Sequence, residues 1–191
     1  MKDPKKFKKV VSDFYTSIAT GEVSASDPQA VSASLYGDSR LSGVLAQADM
    51  GLGCGDPLEL SKPQRGDRML DLGCGKGVDL YRALPLLGDE GYALGIDNNA
   101  AMLEGALKLA KKVGAPNLEF RLGDLEDLPL QSGWATLVAS NCVINLTTDK
   151  RAVYREIKRV LAPEGRVAIS DITLTRPHDA AIIEDSRYWG T

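Results

Sequence analysis

Histidine is nearly missing from this chain of 191 residues: the only one is His178, close to the C-terminal end. That argues against a Ser-His-Asp triad or a histidine base inside a cleft, and leaves carboxylates or tyrosines as possible bases. Cysteine is scarce as well. Three residues, Cys54, Cys74 and Cys142, make an odd count without a disulfide-framework spacing, so reduced thiols in a cytoplasm are expected. No apolar run approaches the roughly 20 residues of a membrane helix. The basic N-terminus lacks the apolar stretch of a secretory signal. The chain has no basic surplus either: its net charge is −3. Without a basic stripe interleaved with aromatics, a nucleic-acid partner is not expected. Lys2, Lys5, Lys6, Lys8 and Lys9 crowd the start, and read as a solvated helix beginning. What remains is a chain expected in a cytoplasm, whose 43% hydrophobic residues suit one globular domain with a real core.

The first sixty residues read as a helical cap and residues 61–191 as the core of the same structural unit. Phe7, Val10, Val11, Phe14, Tyr15 and Ile18 recur at helical spacing, and Gly21 stops that helix. A Ser/Ala/Gly-rich connector follows from Glu22 to Ser34, and Leu41, Val44 and Leu45 predict a second short helix before Gly51. From Arg68 onward, strands are expected at Arg68–Leu72, Tyr92–Ile96, Leu118–Leu122, Trp134–Ser140 and Arg166–Ile172. Helices are expected at Val78–Leu87, Ala100–Val113 and Asp149–Leu161, with another starting near His178. Such alternation implies an α/β fold, a doubly wound parallel sheet with right-handed crossovers.

In such sheets the ligand sits at the carboxyl ends of the strands. The first predicted strand ends in Asp71, and Gly73, Gly75 and Gly77 follow at alternate positions before a helix. Glycines there let a nucleotide-like ligand approach the backbone. The second strand ends in Asp97 and Asn98, twenty residues beyond Gly77, where a carboxylate can accept from both ribose hydroxyls. Gly123-Asp124-Leu125-Glu126 ends the third strand and is placed to border an adenine; Ser140-Asn141-Cys142 ends the fourth. A strand-end aspartate can equally cap the next helix. A dinucleotide loop would need glycine at position 78 or 80, where the chain has Val78 and Leu80.

The run Asp-x-Gly-x-Gly-x-Gly from Asp71 to Gly77 resembles the first motif of class I S-adenosylmethionine-dependent methyltransferases. Arg159-Val160-Leu161-Ala162-Pro163-Glu164-Gly165 resembles that family's turn before its fifth strand, with Glu164 in place of a glycine. The implied fold is a Rossmann-like methyltransferase sheet, and the implied cofactor is S-adenosylmethionine. Asp49 to Pro57, Asp-Met-Gly-Leu-Gly-Cys-Gly-Asp-Pro, is similar to the Gly-Cys-Gly-Asn-Pro segment of arsenite methyltransferases. Ser140-Asn141-Cys142-Val143-Ile144-Asn145-Leu146 is similar to that family's Ser-Asn-Cys-Val-Ile-Asn-Leu, and Ile169-Ser170-Asp171 fits its fifth strand.

The resemblance implies that Cys54 and Cys142 hold trivalent arsenic as substrate while its lone pair attacks the sulfonium methyl. Asp71, Gly73, Gly75, Gly77, Asp97, Asn98, Asp124, Leu125, Glu126 and Asn141 would then bind the cofactor. Cys74 is expected to fill a small position in the loop, Asn145 to be structural, and Trp189 to pack.

The chain departs from the family where a further cysteine should follow Trp189-Gly190, and where two more strands should follow the fifth. Two thiols suit a monomethylated or aryl arsenical. An unpaired fifth-strand edge invites self-association, so a homodimer or an aggregation-prone chain is expected. Two other readings stay open: a small-molecule carbon- or oxygen-methyltransferase with structural cysteines, and a cofactor-binding module that catalyses nothing.

Overall fold

Five strands form where short apolar runs lie between turn residues: β1 (Arg68–Leu72), β2 (Tyr92–Asp97), β3 (Leu118–Leu122), β4 (Ala135–Asn141) and β5 (Leu161–Ser170). The computed structural model describes residues 3–23, 43, 45–176, 185, 186 and 189. Among these the helices are α1 (Pro4–Thr20), α2 (Pro57–Ser61), α3 (Val78–Leu87), α4 (Ala100–Val113) and α5 (Lys150–Val160). The helix expected near His178 lies outside the described residues, as does most of the connector after Glu22.

All strand pairs are parallel, in the order β3-β2-β1-β4-β5. Successive side chains on a strand face opposite sides, and β1 divides accordingly. Leu70 and Leu72 join a core with Val153, Ile157 and Val160 of α5. Met69 joins Leu58 of α2, Leu80 and Ala83 of α3 and Leu103 of α4 on the other face. Both faces are therefore covered, as a parallel sheet requires.

Two regions differ from the sequence expectation. Pairing of β5 begins at Leu161, opposite Ala135, and resumes at Arg166, opposite Leu137. The intervening residues bulge around Glu164, whose φ is 61°. The strand thus starts earlier than expected and ends at Ser170, because register with β4 decides its limits. In the cap, Leu41 and Val44 of the second expected helix lie outside the described residues, and Leu45–Gln47 forms a 3-10 turn. Among the described residues the α-helix before β1 is α2, where the Asp56 carboxylate accepts the Leu58 and Glu59 N–H groups and Pro57 opens the first turn.

Helix α1 starts at a side-chain cap, Asp3, ends at left-handed Gly21 and packs along α4. Asn99 binds the two helices. Its Oδ1 caps α4 by accepting from Ala101 and Met102, and its Nδ2 donates to the Ser12 carbonyl and the Thr16 hydroxyl, both at 2.9 Å.

Gly95 in β2 marks the tightest packing under the loop after β1. A Cβ there would meet the Cys74 sulfur at 2.6 Å and Leu80 Cδ1 at 2.8 Å. Gly95→Ala is expected to destabilise the chain by about 2–3 kcal/mol in urea unfolding. The additional change Cys74→Ala should restore part of the loss, since it empties the contested space.

Candidate active site

The strand order reverses between the parallel strands β1 and β4, with β2 and β3 on one side and β5 on the other, which opens a crevice at their carboxyl ends. The loop leaving β1 folds over the end of β2. Gly73 and Cys74 donate their N–H groups to the Ile96 carbonyl at 2.8 and 3.1 Å, and Gly75 donates to Asp97 Oδ2 at 2.9 Å. These amides are satisfied within the protein, so the glycines serve close approach. Gly73 has φ of +67°, and a side chain there would run into Val143. Gly77 does not border the cleft: it caps α3, and the Phe120 ring fills the space its side chain would need.

Carboxylates gather around this loop. Asp71 is 3% exposed and borders the cleft, and its carboxylate makes no hydrogen bond to another described residue. Burial, with the nearby charges of Asp79 and Asp97, pushes its carboxyl well above the usual range. Burial also raises Asp97, against the opposing hydrogen bonds from Asn99, Gly75 and Asn98. Asn98 is exposed at the rim. Tyr15 of α1 faces the same space, and its phenol is pushed up to about 12 by burial and by the charges of Asp97 and Asp171.

Asp124, Leu125 and Glu126 border the cleft after β3, but both carboxylates are engaged. Lys8 Nζ reaches Asp124 Oδ2 at 2.6 Å and Glu126 Oε2 at 2.9 Å. Glu126 Oε1 accepts from the Thr148 N–H and hydroxyl and from the Asp149 N–H. Burial alone would raise the Glu126 carboxyl; the hydrogen bonds from Thr148, Lys8 and Asp149 instead hold it at about 2.

Lys8 and Tyr15 are site residues the sequence reading missed. With Val11 and Ser12 they face the cleft, and the spacing 8, 11, 12, 15 marks one helix face. That signal was hidden because Val11 and Tyr15 also fit the apolar stripe.

At the end of β4, Asn141 reaches across to the loop after Gly53. Its Oδ1 accepts the Cys54 N–H at 3.0 Å and its Nδ2 donates to the Gly55 carbonyl at 2.9 Å. The next residue, Cys142, has φ of 57°, and its N–H donates to the Ser170 carbonyl. Cys54 and Cys142 are joined as a disulfide, with Cα atoms 5.7 Å apart. This corrects the expectation of three reduced thiols: count and spacing say nothing about which segments fold together. The disulfide sulfurs have no thiolate to offer, so soft-ligand chemistry at this pair requires reduction.

Cys74 is free and buried against Gly95, and burial with the charges of Asp97 and Asp71 raises its thiol. Asn145 lies aside, its N–H donating to Asp171. Trp189 is buried against Phe7, ring centroids 5.4 Å apart.

The donor set fits S-adenosylmethionine. Glycines clear the backbone, Asp97 stands where a ribose diol can be received, and the unpartnered buried Asp71 is complementary to a cationic amino acid end. The depressed carboxyl of Glu126 contributes stability that is full above its unfolded value of about 4.3 and is lost as pH falls toward 2. Glu126→Gln should therefore unfold about 1–2 kcal/mol more easily at pH ~7 and converge with the parent chain near pH ~2, in paired urea titrations.

A family described as a methyltransferase domain matches residues 63–191. An arsenite methyltransferase of Halobacterium salinarum is 36% identical over 194 aligned residues, covering 92% of this chain and 50% of that protein. That of Mus musculus is 39% identical over 140 residues, covering 66% of this chain and 36% of its own. Among solved structures, an arsenic(III) S-adenosylmethionine methyltransferase from Chlamydomonas reinhardtii superposes with a TM-score of 0.63 at 34% identity. The match covers 78% of this chain and 57% of that one. The chain spans half or less of the length of these curated relatives. Sheet order, glycine loop and family match agree: the chain belongs to the methyltransferase domain family.

Proposed function

We propose that this chain performs methyl transfer from S-adenosylmethionine to a trivalent arsenical held by the reduced sulfurs of Cys54 and Cys142. One observation carries the reading. Two cysteines 88 positions apart meet beside the glycine loop, with Cα atoms 5.7 Å apart. The relatives named arsenite methyltransferase support the same acceptor.

When bound, S-adenosylmethionine supplies a methyl group on a positively charged sulfonium. In this reading Asp97 accepts from the ribose hydroxyls, and Asn98 and Leu125 border the adenine. Asp71 faces the cationic end across the cleared surface of Gly73 and Gly75. Gly77 contributes indirectly, by shaping the loop and starting α3. Asp124 and Glu126 act through their ion pairs with Lys8, which draw α1 over the cleft. Cys54 and Cys142, as thiolates, bind arsenic through soft sulfur and point its lone pair at the methyl group. The attacking atom carries no proton, so no base is required. The protein supplies alignment and exclusion of water.

Calorimetry with a trivalent aryl arsenical on the phosphine-reduced chain, cofactor present, tests the acceptor. One equivalent should bind, and Cys54→Ser or Cys142→Ser should each abolish binding while cofactor binding persists. Binding indifferent to both substitutions, or absent from the reduced parent chain, would assign the cysteines to packing and the chemistry to another acceptor. Separately, Asp97→Ala should weaken cofactor binding by roughly tenfold or more, the scale of a lost hydrogen bond to a charged group. Unchanged cofactor affinity would remove Asp97 from the ribose.

A further inference from the structure

Arg82 lies on α3, the helix that follows the glycine loop. Its side chain is 9% exposed and bridges two carboxylates: Asp79, on the same helix, at 2.9 Å, and Asp56, in the loop after Cys54. Each carboxylate has a second task. Asp56 caps α2 by accepting from Leu58 and Glu59. Asp79 Oδ2 accepts from Asn141 Nδ2 at 3.4 Å. Asn141 in turn accepts the Cys54 N–H and donates to the Gly55 carbonyl. The chain Asp56–Arg82–Asp79–Asn141 therefore closes a ring of polar contacts around the segment Cys54-Gly55-Asp56. That ring holds the segment from both sides.

From this geometry we infer that Arg82 is a positioning residue for the two-sulfur site: its bridge between Asp56 and Asp79 sets the distance of Cys54 from Cys142. The inference rests on the proposed arsenical reading for its function, although the placement itself does not. Cys142 is fixed independently, by β4 and by its N–H bond to Ser170. Cys54 sits on a loop outside any helix or strand, so its position depends on side-chain contacts. Two carboxylates left in this half-buried space without the guanidinium would repel each other and pull solvent in. The loop would then swing out, and the two sulfurs would no longer act as one chelating pair.

The effective concentration of one thiol at the other reads this placement directly. Equilibration of the full chain in mixtures of glutathione and glutathione disulfide gives it. Reduction of the Cys54–Cys142 disulfide turns two glutathione thiols into one glutathione disulfide and leaves two protein thiols. Asp56→Ser keeps a side-chain cap on α2 and removes the ion pair. Arg82→Lys keeps the charge and loses the two-armed bridge.

Both variants should lower the effective concentration by roughly tenfold or more and weaken aryl arsenical binding by a similar factor, while cofactor affinity stays within about twofold. Parent-level thiol equilibria in both variants overturn the inference. So does a loss of cofactor affinity equal to the loss of arsenical affinity, which would mark Arg82 as support for the whole fold. If the parent chain binds no arsenical, the proposed acceptor falls, but the glutathione equilibrium still decides the placement.

Discussion

The lateral pairing of β1 with β2 on one side and β4 on the other is the constraint on which the rest of this molecule depends. Because β1 is central, with β2 added on one side of it and β4 on the other, the carboxyl ends of three strands converge on one crevice. The loop after β1 then lies on β2 through the Ile96 carbonyl and the Asp97 carboxylate. From the other side, β4 delivers Asn141 and Cys142 to the same edge. Neither the glycines nor the cysteines would share a site without this arrangement.

A second theme is the balance of charge around the crevice. Asp71, Asp79 and Asp97 crowd the glycine loop, and the protein neutralises them unequally. Asp79 is paired with Arg82, Asp97 takes backbone N–H bonds, and Asp71 has no partner among the described residues. An acidic pocket left partly uncompensated is complementary to a cation. At the far end the balance is different. Lys8 pairs with Asp124 and Glu126, so the acids after β3 serve to hold α1 in place. The same residue type thus does two jobs, according to whether a basic partner reaches it.

Helix α1 joins these themes. It is tied to the strand ends at three points: by Lys8 to the loop after β3, by Asn99 through Ser12 and Thr16, and by Lys76 to the Ala19 carbonyl. Between those ties it presents Tyr15 toward Asp97. Phe7, on the buried side of the same helix, is covered by Trp189 from the other end of the chain.

The parallel α/β architecture was legible because each strand and helix announces itself locally, by alternation, apolar spacing or a capping residue. Helices α3 and α4 fall where Gly77, Asn99 and the glycines at their ends place them. The loop chemistry was legible for the same reason, since Gly73 needs a backbone angle and a clearance that few residues tolerate. What could not be read were contacts between distant segments. The start of β5 depends on its register with β4, and Lys8 meets acids more than a hundred positions away. Arg82 looked like any helix arginine until the fold set Asp56 beside it. The Cys54–Cys142 pairing belongs with these: local composition chose both residues, but only the tertiary fold brought their sulfurs together, since chain entropy leaves such remote groups apart until the sheet is built.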